Sequence, residues 1–207
     1  MKFMIAAILT IGFVHGSVHA ADVSFTGKFT NDNEVQEFNF AVAGAAADVT
    51  LRTWSYAGGT NVTGEQIASG GFDPIVTLFD AATGAKISQN DDGGLVPDPV
   101  SGSAYDSFLM QNLAAGNYTA TVTQYSNFAI GPLLTDGFTG TGRSNFAERD
   151  SHWALDIQNI ASASLGASYI SPIPEPEFYS MLLAGLGLVG FMARRKKLEK
   201  RDGRSVA

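Results

Sequence analysis

Five oxygen-bearing side chains in the middle of the chain are candidates to bind a metal ion together. Asn90, Asp91 and Asp92 stand in a glycine-containing turn, and Asp73 and Asp106 stand beside neighbouring predicted strands. Calcium takes roughly six to eight oxygen ligands from carboxylates, amide carbonyls and backbone carbonyls on a bendable loop. We therefore predict a calcium site at these residues if the strand ends meet. The alternative is a solvated turn at Asp91 and Asp92, with Asp73 and Asp106 capping strands.

Side chains for nucleophilic or zinc chemistry are scarce. His152 is the only histidine beyond the first 20 residues, and the chain contains no cysteine. A serine or cysteine nucleophile needs a neighbouring base, and a zinc site needs several histidine or cysteine ligands. No Gly-x-Ser-x-Gly elbow or phosphate-binding loop occurs. We therefore expect a non-catalytic protein. A carboxylate pair acting on a glycan stays open, because sequence does not show how far apart two carboxylates lie.

Short strands separated by Gly, Asn, Asp and Ser turns must position these residues. Alternation is clearest at 118–125, where three threonines face away from an apolar row. Further strands are predicted at 23–29, 38–42, 48–56, 74–80, 85–89, 106–113 and 152–160. The first two are predicted to form one hairpin, and 74–80 and 85–89 are predicted to form another. Long loops are predicted at 57–71 and 131–145. The pattern favours an all-β fold, an antiparallel and jelly-roll-like β-sandwich over residues 21–160.

The N-terminus has the layout of a secretory signal peptide. Lys2 supplies a short positive region, residues 3–14 are apolar, and Val18-His19-Ala20 places small residues where signal peptidase cleaves. The apolar run is shorter than a membrane span requires. We predict a signal peptide over residues 1–20, removed by signal peptidase after Ala20.

The C-terminus combines a proline motif, a short apolar run and a basic cluster. In order these are Pro174, Glu175 and Pro176; residues 178–193; and Arg194, Arg195, Lys196 and Lys197. A helix over 178–193 would be about 24 Å long, a little less than the hydrocarbon layer, and is predicted to be a short transmembrane helix. Because lysine and arginine stay on the cytoplasmic side, residues 198–207 are expected to be a cytoplasmic tail, with the preceding domain outside.

This combination resembles the PEP-CTERM sorting signal of exported Gram-negative bacterial proteins, and a simple tail anchor is the alternative. The resemblance covers 173–197 and implies recognition by an exosortase-type membrane protease, with cleavage near Pro174-Glu175-Pro176. It implies export across the inner membrane, transient anchoring there, and delivery to the cell surface or the extracellular space. Residues 161–172, rich in small side chains, are predicted to be a linker between domain and signal.

The part predicted to be exported is strongly acidic. Residues 21–171 contain 16 acidic and five basic side chains, a net charge of −11 against −7 for the whole chain. A domain with this charge does not bind nucleic acid by neutralising phosphates. Because cysteine is absent, its stability must come from an apolar core or a bound metal.

Residues 72–125 carry a second resemblance. Asp73-Pro74 before an apolar strand, a glycine turn after Phe79-Asp80, the turn at 90–94 and Ala115-Gly116-Asn117-Tyr118 before a Thr/Val strand are similar to the bacterial pre-peptidase C-terminal type of β-sandwich. That resemblance implies a non-catalytic accessory or binding domain, with calcium in some members.

Together these features predict an exported structural or binding module associated with exopolysaccharide. The alternatives are a carboxylate-dependent glycan-active enzyme and an ice-binding protein that displays the threonines at 119, 121 and 123. The exposure of Trp54 and Tyr56 separates two roles. Exposed rings would favour sugar binding by the module, whereas burial of both would leave it a purely structural role.

Overall fold

Two antiparallel sheets pack face to face in the computed structural model, which describes residues 20–171. The strands are β1 (Ala21–Lys28), β2 (Glu34–Val42), β3 (Ala47–Thr53), β4 (Gly59–Thr60), β5 (Gln66–Ile67), β6 (Pro74–Asp80), β7 (Lys86–Asn90), β8 (Phe108–Leu113), β9 (Gly116–Gln124), β10 (His152–Ile160) and β11 (Ser162–Ile170). Sheet A has the order β1-β10-β3-β8, sheet B has the order β11-β2-β9-β6-β7, and β4 and β5 form a small separate hairpin. The all-β sandwich prediction is confirmed.

The core between the sheets follows from strand alternation. Phe38 of β2, Leu51 of β3 and Leu155 of β10 are fully buried there. The residues directly before and after each of them point to the other face of their strand. Trp153 meets Phe38 edge to face, with ring centroids 5.4 Å apart. Burying one such large side chain contributes about 1.5–3 kcal/mol, so the interior rows hold the two sheets together.

Residues 125–143 form a third layer on the outer face of sheet B. Phe138 packs against Phe79 of β6 and Val35 of β2, and all three are buried. This layer explains why both faces of β9 are buried. The threonines at 119, 121 and 123 therefore face protein, and cannot present a surface to ice. The predicted loop at 131–145 lies largely within this packed layer. The ice-binding alternative is wrong in the surface that it names, because the three threonines are buried.

One of the two predicted hairpins is present. β6 and β7 pair through a turn that ends at Gly84, whose φ of 73° suits glycine. The hairpin predicted from 23–29 and 38–42 is wrong. β1 pairs with β10 and β2 pairs with β9 and β11, because the turn after β1 carries the chain from sheet A to sheet B.

The predicted linker over 161–172 is also wrong. Ser162–Ile170 is strand β11, which extends sheet B by pairing with β2, from Ser162 opposite Ala41 to Ile170 opposite Glu34. Its small side chains carry no strong alternation. A backbone ladder forms nonetheless, because β2 offers free backbone donors and acceptors at its edge.

The two terminal signals lie outside the described residues. This applies to the predicted signal peptide over 1–20 except Ala20 itself, to the predicted sorting signal at 173–197 with its predicted transmembrane helix at 178–193, and to the predicted cytoplasmic tail at 198–207. Within residues 20–171, the structure contains no helix with the length and apolar character needed to cross a membrane.

Candidate functional site

The strand ends that carry the predicted calcium ligands do meet. The hydroxyl of Ser107, just before β8, donates to the carbonyl oxygens of Pro74 at 2.7 Å and Asn90 at 2.8 Å. This joins the start of β6, the end of β7 and the start of β8 at one corner of the sandwich. In residues 20–171, however, no group of three or more His, Cys, Asp or Glu side chains is arranged to hold a metal ion.

Two of the five predicted ligands already serve as hydrogen-bond acceptors. Asp106 is 3% exposed, and its carboxylate accepts from the hydroxyl of Thr53 at 2.9 Å and the backbone N–H groups of Tyr56 at 3.1 Å and Ala57 at 2.8 Å. Asn90 accepts at Oδ1 from the backbone N–H of Phe108 at 3.0 Å. Both side chains satisfy buried backbone where strands end.

Asp73 is the candidate whose carboxyl oxygen lacks a protein partner. Its Oδ1 is buried and accepts no hydrogen bond. Burial, followed by the charge of Asp92, raises the pKa of Asp73 to about 7, while Arg143 lowers it and Asp91 adds a smaller upward effect. Asp92 likewise has a raised pKa, first from desolvation and then from Asp91. Calcium binding at this corner stays a prediction.

Asp73→Asn is expected to stabilise the domain at pH 8 and to change nothing at pH 4. The unfolded carboxyl ionises near 3.8, whereas the folded one keeps its proton to about pH 7, so the stability that this proton contributes is full below pH 4 and lost by pH 7. The raised pKa corresponds to at most about 4 kcal/mol, which partial solvent access reduces to about 2 kcal/mol. Urea denaturation at both pH values measures the difference.

Asp92→Asn is the matched control. It removes the neighbouring charge that most raises the pKa of Asp73, so it should move the midpoint of the pH dependence to lower pH with a smaller gain at pH 8. A calcium ion on Asp73 and Asp92 would have the opposite effect. In that case millimolar CaCl₂ at matched ionic strength would make the wild type more stable than Asp73→Asn at pH 8.

Trp54 and Tyr56 are buried, at 8% and 6% exposure. Trp54 donates from Nε1 to Asp156 at 2.6 Å and lies 3.6 Å from the guanidinium of Arg52. Tyr56 packs under the guanidinium of Arg149, 3.7 Å from its ring centroid. Neither ring offers an open face to a sugar, so these two residues favour the structural role over sugar binding, and a saccharide site must be sought elsewhere on the domain.

A polar groove of about 540 Å³ lies between sheet A and the β4–β5 hairpin. Its polar lining comprises Thr26, Lys28, Glu65, Gln66, Ser69, Asp150 and His152. None of these residues was predicted as a site. The strands of the hairpin are only two residues long, so they are too short to be recognised from alternating polar and apolar residues in the sequence.

Asn61 organises that hairpin. Its side-chain oxygen accepts from the backbone N–H groups of Thr63 at 3.1 Å and Glu65 at 2.9 Å, which is turn chemistry visible in Asn61-Val62-Thr63-Gly64. The N–H of Val62 then donates to Asp156 of β10 at 3.1 Å. Since Asp156 stands between the inward-facing Leu155 and Ile157, this bond fixes the hairpin over the outer face of sheet A.

His152 joins the two walls of the groove. Its Nδ1 is 3.0 Å from Oδ1 of Asp150, and its Nε2 is 3.0 Å from the carbonyl oxygen of Ala68, just after β5. Hydrogen bonds from the His152 side chain and backbone lower the pKa of Asp150 to about 2. Lys28 lies 3.2 Å from the same carboxylate. The groove therefore contains a permanently ionised acceptor held in place, beside an ammonium, an amide and hydroxyl groups.

The comparison with protein families concerns the C-terminus. Residues 172–196 match the PEP-CTERM protein-sorting motif. The match contains Pro174, Glu175, Pro176 and the basic residues up to Lys196, and Lys197 falls one position beyond it. A comparison of the chain with curated proteins gave no match.

The PEP-CTERM motif indicates an exosortase-sorted cell-surface protein of a Gram-negative bacterium. It implies export, transient sorting at the membrane and processing by the exosortase, a membrane protease. The resemblance of residues 72–125 to the pre-peptidase C-terminal type stays a prediction, with which the all-β fold is compatible. The PEP-CTERM motif says where the domain is sent, so its role must be argued from the domain itself.

Proposed function

We propose that this protein is a non-catalytic surface or extracellular-matrix component that binds exopolysaccharide through the groove beside the β4–β5 hairpin. The observation that carries the proposal is the groove's fixed arrangement of donors and acceptors around Asp150 and His152. The PEP-CTERM motif adds that the domain is delivered to the cell surface, where such a polymer would be met.

The groove suits a hydroxyl-rich ligand. Its volume of about 540 Å³ is within the range of about 300–1,000 Å³ common for small-molecule sites. A sugar hydroxyl both donates and accepts, so it can donate to the carboxylate of Asp150 and accept from the side chains of Lys28 or Gln66. Ile67 and Ala68 supply apolar contact for the C–H face of a sugar ring. The net charge of −11 on residues 21–171 favours a neutral polysaccharide over a polyuronate.

Three observations support the non-catalytic part of the proposal. Both ring nitrogens of His152 lie 3.0 Å from protein oxygens, Oδ1 of Asp150 and the carbonyl oxygen of Ala68, so neither has an open approach to a bound substrate. Asp150, with its pKa lowered to about 2, is ionised at neutral pH and holds no proton for a leaving group. Asp73, whose pKa is raised to about 7, is not among the residues that line the groove.

Filling the groove tests the binding site. Ala68→Trp places an indole in the groove from an exposed position, and the variant is expected to bind neutral polysaccharide at least tenfold more weakly because the ring occupies the space of a sugar. Affinity electrophoresis in gels that contain a neutral or an acidic polysaccharide measures retardation of the wild type and the variant.

Ala81→Trp is the control for that experiment. Ala81 is also an exposed alanine, and it lines a different groove of about 450 Å³ beside β2, β9 and β11. This variant should migrate like the wild type in every gel. Unchanged retardation of Ala68→Trp, or an equal loss in Ala81→Trp, would show that the polysaccharide site is not the groove beside the hairpin.

A further inference from the structure

The chain beside the sorting motif is part of the folded domain. Ser171 is fully buried, its N–H donates to the carbonyl of Asn33 at 3.0 Å, and its carbonyl accepts from the side chain of Asn33 at 3.1 Å. Its hydroxyl donates to the carbonyl of Phe138 at 3.1 Å. Together with the β11–β2 ladder, these bonds hold the backbone up to the residue before the matched segment begins.

This arrangement leaves very little chain between the domain and the proline motif. Pro174 is three residues beyond Ser171, and three extended residues reach at most about 10 Å. Pro172 restricts the connection further by fixing its own φ and disfavouring helical conformation in the preceding residue. A site that recognises an extended peptide uses the main-chain hydrogen bonds of that peptide. In the folded domain the main-chain groups of β11 that face β2 are hydrogen-bonded to it, and Ser171 is held by Asn33 and Phe138, so residues up to Ser171 cannot extend the peptide that a protease would bind while β11 is docked.

β11 also has features suited to reversible release. It lies at the sheet edge, Leu165 and Ile170 are 56% and 53% exposed, and its register is interrupted between Leu165 and Ser168. Segments with few buried apolar contacts open locally at a small fraction of the global unfolding free energy. Release of β11 would remove the contacts of Ala163 with the core between the sheets and of Tyr169 with the cluster around Phe138, whereas the fully buried side chains of that core belong to other parts of the chain.

We propose that β11 must leave β2 before the exosortase can process the chain. The docked domain is then a poor substrate, release of β11 supplies the extended segment, and the strand docks again after cleavage as the C-terminal strand of the processed protein. The proposal concerns access to the sorting signal, and it does not depend on saccharide binding in the groove.

A cross-strand disulfide tests the proposal in the full chain. Ser164 of β11 lies opposite Asn39 of β2, and both are exposed. Opposite residues of antiparallel strands have Cα atoms about 4.5–5.5 Å apart, which a disulfide can bridge, and the chain has no cysteine of its own to compete. The double variant Ser164→Cys/Asn39→Cys should be processed at least threefold more slowly than wild type in a pulse-chase immunoblot, with recovery after reduction by dithiothreitol.

Two matched variants complete the experiment. Asp48→Cys/Asn112→Cys joins an equally exposed opposite pair of β3 and β8, away from β11, and should leave the processing rate unchanged. A 12-residue Gly/Ser insert between Ser171 and Pro172 should speed processing at least threefold and restore it in the locked β11 variant, since it supplies extended chain without release. The same insert after Asp202 is its control. Processing of the locked chain at the wild-type rate, or no effect of the Ser171 insert, overturns the proposal.

Discussion

Replacing Pro174, Glu175 and Pro176 together by alanine is expected to leave the full-length chain in the inner membrane. Proline fixes φ, removes the backbone donor and keeps the segment outside the apolar run non-helical, whereas alanine is the best helix former. The substitution therefore replaces residues that disfavour a helix by residues that favour one, directly before the predicted transmembrane helix at 178–193. Cell fractionation followed by immunoblotting measures the result, with processed protein in the wild type and only the longer species in the variant.

The domain contains a matched control for the loss of two prolines. Pro97 and Pro99 have the same spacing in the loop before β8, with Asp98 between them. Substituting both prolines by alanine while keeping Asp98 should leave processing at the wild-type rate, because the sorting motif is untouched. Equal processing of the wild type and the Pro174-Glu175-Pro176 variant would show that these three residues are not the recognised element.

Asp106→Ala is expected to cause the largest loss of stability of any substitution considered for this domain. The change removes the acceptor for Thr53, Tyr56 and Ala57 in a fully enclosed position. Each buried donor left without a partner costs about 1–3 kcal/mol, so a total of about 4 kcal/mol is expected. Since domains are stable by only about 5–15 kcal/mol, urea denaturation of residues 21–171 should show a greatly lowered midpoint.

Asp80→Ala tests whether burial causes that loss. Asp80 also accepts three hydrogen bonds, from the N–H groups of Ala82 and Thr83 and the hydroxyl of Thr83, in the turn between β6 and β7. Water reaches these donors and replaces the carboxylate, so the variant should lose much less stability than Asp106→Ala. Similar midpoints for the two variants would contradict a special role for the buried carboxylate.

Apolar patterns in the sequence predicted individual strands well where these contained several large apolar residues. The predicted strands at 74–80 and 152–160 coincide with β6 and β10. Pairing could not be predicted in the same way. β1 finds its partner about 130 residues later in the sequence, at β10, and nothing local to β1 distinguishes that partner from β2. β11 was missed because its serines, alanines and glycine have no apolar period, although the backbone edge of β2 is sufficient to hold them.

The candidate sites show the same limit. That Asp73, Asn90 and Asp106 lie near one corner could be predicted, because each stands at the end of a strand. Their roles could not be predicted, since the carboxylate of Asp106 satisfies backbone groups of Tyr56 and Ala57 some 50 residues earlier. The groove depends on a contact between His152 and the carbonyl oxygen of Ala68, 84 residues earlier in the sequence.

The edge strands β1 and β11 place the two ends of the described chain at opposite ends of the sandwich. Ala21 of β1 lies opposite Ile160, where β10 ends, whereas Ile170 of β11 lies opposite Glu34, where β2 begins. The chain therefore enters at one end of the strands and leaves at the other, about 25 Å away for eight residues of strand. With both predicted signals attached, the domain has a two-point attachment through opposite ends. If both predicted cuts occur, the first leaves the domain attached through one end only, so the order of the cuts decides which end of the domain is released first.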